Sequence, residues 1–539
     1  MKDILFQYTQ VDPTTWVYLS SLLMIGLYFK FNRLWSVRNL DLLLLILLAP
    51  GLLLVQHGQQ DRLASRSSAE ASAEAPVSGE TTSEPAVDSP ADETSDAEDV
   101  PVDGVLPADA EVVSDEVVSD EVVSDEVVSD EVVSDEVVSD EVVSDEVVSD
   151  EVASLSTVEY LGYFWLFAVG GIWVVRLLID PTMVRRPMLE PNLTPGGLTF
   201  IGCSLFIFLM ANVITSVPTT EDLAGPEGAQ QLLTRTAVDE TDDALRRHGP
   251  GNALLHLFPT IPTMFITNEE VAGAEQSVVA RRSAKVMAIL AHFCIALAMV
   301  LIGHIHFGNT QMGVGAATLY LLLPYTAQMT GRVDHALPGA LLAWAVLFYR
   351  RPIFSGVFIG LAAGTIYYPL FLLPLWASFY WQRGILRFLA GVAGSIALMA
   401  LSLLLISESG EQYWLLVRKM FGLMLPVMEN MEGIWGLGWD AWYRLPFLAA
   451  FVCASIGFAF WPPQKNLGTL LSCTAGLMVM VQFWHGYGGG VFMAWYLPPL
   501  LMTIFRPNLE DRVAAVVLGE NWFSRRFART SNGPTRRAA

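Results

Sequence analysis

Few residues in this chain combine reactive chemistry with an informative position. Arg332-Val333-Asp334-His335 stands at the mouth of an apolar run that begins at Ala336. Ionisable side chains at the mouth of a membrane span line cavities more readily than they face lipid. In the plainer reading Asp334 and His335 cap the helix or pair with Arg332. Glu221 and Asp222 follow the apolar run 197–216 after Val217-Pro218-Thr219-Thr220, and Arg281, Arg282 and Lys285 stand just before the run 286–304. Tyr367-Tyr368-Pro369 breaks a third run; such tyrosines either belong to an interfacial aromatic belt or stack on a ligand ring. Trp414, Trp435, Trp439 and Trp442 cluster in 408–445 and carry the same two readings. Soluble-enzyme signatures are missing. No phosphate-binding P-loop, nucleophile elbow, HExxH or dinucleotide glycine pattern occurs. His304-Ile305-His306 lacks further metal ligands. Cys203, Cys294, Cys453 and Cys473 lie singly in apolar runs with no CxxC, which argues against a disulfide framework or a structural zinc motif.

The elements that must position these residues are membrane helices. The 539 residues are 53% hydrophobic and 16% charged, yet the formal net charge is -24. That charge is local: Asp61 to Glu151 holds 30 acidic and two basic residues, leaving a remainder of net +4. The composition describes a slightly basic, very apolar body carrying one acidic insert, and it excludes a simple soluble enzyme. A membrane helix needs about 20 mostly apolar residues. Candidate spans are 14–30, 39–55, 158–178, 197–216, 286–304, 312–328, 336–349, 387–407, 446–462, 466–484 and 490–505. The run 353–381 has arginines beyond both ends and Pro369 and Pro374 inside. The positive-inside rule and the proline break together predict two short helices bent at Ile366–Pro369.

The expected fold is therefore all-α and polytopic, with about 11–13 transmembrane helices and a disordered acidic insert. Residues 1–55 form an N-terminal two-helix hairpin, 56–157 the linker, 158–505 the polytopic domain and 506–539 a basic cytoplasmic tail. Basic inner loops put the linker, 217–285 and 408–445 outside, although Arg281, Arg282 and Lys285 run against that assignment. The segment 251–267, broken by Pro259 and Pro262, is expected to be interfacial or re-entrant.

The linker has no aromatic residue, and Val-Val-Ser-Asp-Glu repeats eight times over 112–151. A period of five turns the valine pair about 140° round a helix at each repeat and flips its face in a strand. No continuous apolar face forms, so a disordered tether is expected. The arginine-rich tail suits anionic lipid, and nothing points to nucleic acid.

The stretch from Leu322-Leu323-Pro324-Tyr325 continues through Gly331-Arg332-Val333-Asp334-His335-Ala336-Leu337-Pro338, Tyr349-Arg350-Arg351 and Gly360-Leu361-Ala362-Ala363-Gly364. It ends in Tyr367-Tyr368-Pro369, Leu372-Leu373-Pro374 and the basic turn Arg383 to Arg387. It resembles the GT-C type of polytopic glycosyltransferases that use polyprenyl-phosphate-linked sugars, in the bacterial mannosyltransferase-like branch. The resemblance covers roughly 217–405 and extends weakly to Phe492–Pro499. It implies transfer of a sugar from a polyprenyl-phosphate donor to an acceptor on the outer face of a bacterial inner membrane. It implies a catalytic carboxylate just after a span, here Glu221 or Asp222, acting as base on the acceptor hydroxyl. The substrate cavity would include Asp334, His335, Tyr367 and Tyr368. Where the family often carries a lysine before the aromatic-proline bend, this chain has Thr365-Ile366. The cation facing the donor phosphate then falls to Arg332, Arg281 or Arg282. No cofactor is expected, and a divalent metal and the oligomeric state stay open. A transporter or lipid flippase and a non-enzymatic scaffold with an acidic tether are the competing classes.

Overall fold

The computed structural model describes residues 11–73, 142–183, 189–236, 244–266, 275–382, 384–422, 431–463 and 465–507. The basic tail beyond 507, Arg383 and positions 74–141 of the acidic linker lie outside the described residues. Among the described residues there are 17 α-helices and no strand. They are α1 (Pro13–Tyr28), α2 (Val37–Ala73), α3 (Val142–Ile179), α4 (Pro195–Thr215), α5 (Thr220–Thr234), α6 (Ala244–Ile266), α7 (Glu275–Ile305), α8 (Thr310–Leu322) and α9 (Pro324–Gln328). They continue as α10 (Val333–Leu347), α11 (Pro352–Thr365), α12 (Leu373–Tyr380), α13 (Ile385–Leu403), α14 (Gly410–Met420), α15 (Arg444–Phe460), α16 (Leu467–Val481) and α17 (Leu497–Phe505).

Six of these helices contain stretches long and apolar enough to cross a membrane: Val37–Ser65, Thr157–Thr182, Pro195–Thr215, Val278–Ile305, Ile385–Leu403 and Ala441–Phe460. The chain is an all-α, multi-pass membrane protein. Three shorter apolar helices, α10, α11 and α16, complete the bundle. Nearly every side chain of α10 and α16 is buried, as expected of helices that are apolar all round and walled in by others.

The chain divides into two units, Met1–Arg62 with Ala153–Ala539, and Leu63–Val152. Helix enters the acidic linker from both ends, since α2 runs on to Ala73 and α3 begins at Val142 within the repeats. In the first unit α1, α2 and α3 share one buried core with the later helices. The N-terminal hairpin is thus part of the same body as 158–505. Tyr28 donates to the Gly315 carbonyl of α8 at 2.9 Å, and Asn192 ties the end of α1 by bonding the carbonyls of Gly26 and Phe29.

Prolines set the breaks that matter. Leu323 takes an extended ψ of 134° before Pro324, which separates α8 from α9. The run 353–381 bends where expected: α11 ends at Thr365, a 3-10 turn spans Tyr368–Leu372, and α12 begins at Leu373. Of the segment 251–267, residues 251–266 lie within α6 and 267 is outside the described residues. That helix is broken at Gly249 (φ 45°, ψ 161°), contains Pro250, Pro259 and Pro262, and is not among the six long apolar helices. The positive φ suits glycine, and a side chain at 249 would also collide with the Gly364 carbonyl.

Candidate active site

The site is assembled at the end of the bundle where α4 finishes and α10 begins. Thr219 caps α5 and Asp222 reaches back to it, closing a capping box. Asp222 Oδ2 accepts from the Thr219 amide at 2.9 Å and from the Thr219 hydroxyl at 2.7 Å. The same carboxylate offers Oδ1 to Arg332 Nε at 3.3 Å, an ion pair rather than an aligned hydrogen bond. Arg332 also contacts Asp334, through Nε to Oδ1 at 3.3 Å and Nη2 to Oδ2 at 3.1 Å. Its Nη2 pairs with Glu221 as well. One guanidinium is therefore ringed by three carboxylates from two helices.

A second arginine extends the group. Arg247 Nη1 lies 3.6 Å from Glu221 Oε1, and Nη2 lies 2.9 Å from Glu432 Oε1. Its guanidinium also sits over the Tyr487 ring, 4.6 Å from the centroid. The backbone bond from Glu432 N–H to the Gly486 carbonyl, at 2.9 Å, joins the two connections that supply Glu432 and Tyr487. Two arginines thus serve four carboxylates.

Exposure separates the carboxylates. The Asp222 and Asp334 side chains are 4% and 8% exposed, whereas Glu221 is 37% exposed. Burial pushes the Asp222 carboxyl above the usual carboxylate range; Arg332 pulls it down and Asp334 pushes it up again. Burial lowers His248, which feels Asp334 and Glu221 on one side and both arginines on the other. At neutral pH its imidazole is uncharged.

The expected residues divide into three groups. Glu221, Asp222, Arg332 and Asp334 come together. His335, Tyr368 and Tyr367 form a wall behind them. His335 Nε2 is 3.8 Å from Asp334 Oδ2 and its Nδ1 is 2.7 Å from the Tyr325 hydroxyl. The Tyr368 hydroxyl is 2.5 Å from His485 Nδ1, and its ring is 4.2 Å from Tyr367 and 5.6 Å from Trp495. His335 and Tyr368 are buried; His335 contacts Asp334 and Tyr325, while Tyr368 contacts His485, so neither faces a ligand in the open. Arg281 and Arg282 form the third group, exposed on the first turns of α7, outside the ring of carboxylates around Arg332.

Sequence reasoning did not single out Arg247, His248 or Glu432 as members of this group. Arg247 and His248 precede the Gly249 break in α6, and the only local signal was that glycine-proline pair. Of the four tryptophans, Trp435 is buried, while Trp414, Trp439 and Trp442 are exposed. Among the described residues no group of His, Cys, Asp and Glu has the arrangement to hold a metal ion.

Compared with family models, with curated proteins and with solved structures, the chain finds no match in any of the three.

Proposed function

We propose that this protein is a membrane glycosyltransferase of the polyprenyl-phosphate-sugar-dependent kind, acting at the bundle end that carries Glu221. The reading rests on the likeness of 217–405 to the GT-C pattern. The observation that supports it best is the convergence of Glu221, Asp222, Asp334 and Arg332 just past the end of α4. In the reaction, a carboxylate takes the proton of an acceptor hydroxyl as its oxygen attacks the sugar's anomeric carbon. The bond from that carbon to the phosphate oxygen breaks, and the lipid phosphate leaves with the electron pair. Glu221, the most exposed of the three carboxylates around Arg332, is the base a substrate can reach. Asp222 supports it from behind, with one oxygen already spent on the Thr219 cap.

The charge balance refines the roles of the arginines. Arg332 is already surrounded by three acids, so a phosphate approaching it meets a net negative field. Arg332 suits the task of holding the carboxylates in place. Arg281 and Arg282, exposed on the helix packed against α5, are better placed to meet the donor phosphate.

The test is transfer of labelled sugar from a set of polyprenyl-phosphate sugars by purified protein in lipid. Wild-type protein should transfer from at least one donor, and Glu221→Gln and Asp222→Asn should not. No transfer from any donor, or full activity in both variants, overturns the proposal. The broken pairs α8–α9 and α11–α12 favour one second reading, a transporter or lipid flippase, because interrupted helices build substrate sites in such proteins. Movement of a polyprenyl-phosphate sugar across a vesicle membrane without transfer would select it.

A further inference from the structure

Next to the carboxylates lies a cavity of about 260 Å³ between α5, α6 and the end of α13. That is slightly below the usual range of small-molecule pockets, about 300–1,000 Å³. Its polar wall carries Thr220, Glu227, Gln231, His248, Asn252 and Ser402. Two carboxamides, two hydroxyls and an uncharged imidazole can each donate or accept, and Glu227 accepts. Its other side is apolar, formed by Leu232, Leu403 and Ile406. Among the described residues that line it there is no lysine or arginine.

Asn252 adds an independent sign. It is 6% exposed, and its Oδ1 is buried with no hydrogen-bond partner among the described residues. A buried, unpaired amide oxygen costs about 1–3 kcal/mol, and a turn of the Asn252 side chain toward the cavity it lines lets it accept from a ligand hydroxyl. The break at Gly249 puts His248 and Asn252 on the same cavity wall. His248 also connects the cavity to the carboxylates, since Asp334 and Glu221 both act on it electrostatically.

We infer that this cavity binds an uncharged, hydroxyl-rich ring of monosaccharide size. The polar wall meets the ring's hydroxyls, and Leu232, Leu403 and Ile406 meet its C–H face. Glu227 is the one acid among the described lining residues and repels a phosphate placed against it, and the polar wall disfavours a lipid acyl chain. Thr220, the chain neighbour of Glu221, lines the cavity, and the link to the base runs through His248, on which Glu221 acts electrostatically. Assignment of this ring as the acceptor rests on the glycosyltransferase reading; binding of the ring does not.

The experiment is saturation-transfer NMR on the full chain in a detergent without a sugar headgroup. The probes are methyl hexopyranosides, a hexose 6-phosphate and a short-chain alcohol. At least one methyl hexopyranoside should bind saturably and the hexose phosphate more weakly. Gln231→Leu should weaken binding roughly 3- to 10-fold, the loss of one neutral hydrogen bond, and Ala224→Leu should abolish it by filling the space. Should Ala224→Leu fail to fold, Gln231→Leu alone carries the test. No saturable binding of any neutral glycoside, preference for the phosphate or the alcohol, or unchanged affinity in Gln231→Leu overturns the inference. Binding without sugar transfer leaves this inference standing and removes the enzyme reading; transfer with no glycoside binding at this cavity does the reverse.

Discussion

The two ends of the bundle each hold an ionic cluster, and they are built to different rules. At one end Arg176 grips Asp41 with two bonds, at 2.7 and 2.9 Å, and reaches Asp180 at 3.0 Å; Arg506 reaches Asp180 at 2.6 Å. Two cations meet two acids, and the four side chains are between 0% and 11% exposed. The charges balance and the carboxylate oxygens are occupied. The cluster joins the beginning of α2, the end of α3 and the segment after α17. It is a clamp, sealed from solvent, in which Arg506 Nε is the one buried side-chain donor without a partner among the described residues.

At the other end Arg332 and Arg247 meet Glu221, Asp222, Asp334 and Glu432. Acids outnumber cations two to one. Glu221 and Glu432 are 37% and 47% exposed, and a cavity adjoins the group. A carboxylate exposed beside a cavity is open to a substrate's proton, which a general base requires and a clamp does not. A balanced, sealed network holds the fold, whereas an unbalanced, open one is free to do chemistry.

Four substitutions can break or sharpen this contrast. Arg176→Ala removes one partner of a buried network and should cost about 3–5 kcal/mol of stability, read by thermal unfolding in detergent. Sugar transfer per folded molecule should be unchanged. Glu221→Gln should cut transfer about 10²- to 10⁴-fold, the range of a lost general base. Its stability should change by less than about 1 kcal/mol, because the pairs it loses are solvent-screened.

Asp222→Asn should act on pH dependence. The folded carboxyl lies above its usual value, so the folded state holds a proton that the unfolded state has released. Stability is then present at low pH and lost as pH rises from the ordinary aspartate range through the raised value. In the variant that slope should disappear from a pH series of melting temperatures, along with about 1 kcal/mol of capping. A slope that persists would move the titration to another group. Arg247→Met should have the smallest effect on stability, below about 1 kcal/mol, since its ion pairs are partly exposed. Unfolding midpoints would read it, and a loss comparable to that of Arg176→Ala would show that Arg247 is a clamp as well.

Much of the architecture was legible in the sequence because it follows from local chemistry. The bend at Ile366–Pro369 could be read from two prolines and the arginines on either side, and most helices follow the apolar runs, whereas α5 and α14 lie outside them and the run 490–505 is α-helical only from Leu497. Arg332 and Asp334 are neighbours in the chain, and the end of α4 marks Glu221 and Asp222. The spacing of Thr219 and Asp222 also carries a capping-box signature. What could not be read is long-range pairing. Arg506 and Asp180 are 326 positions apart, and no local pattern links Arg247 to Glu432. The sequence treated Arg332, Arg281 and Arg282 as equivalent candidates for the phosphate. Only the gathering of three acids around Arg332 distinguishes it, and that depends on how α5 packs beside the start of α10.

The most direct test measures transfer rate and melting temperature together in Glu221→Gln and Arg506→Met. The account predicts that Glu221→Gln loses transfer and keeps its melting temperature, while Arg506→Met loses melting temperature and keeps its rate per folded molecule. The reverse pattern, or undiminished transfer in Glu221→Gln, would contradict it.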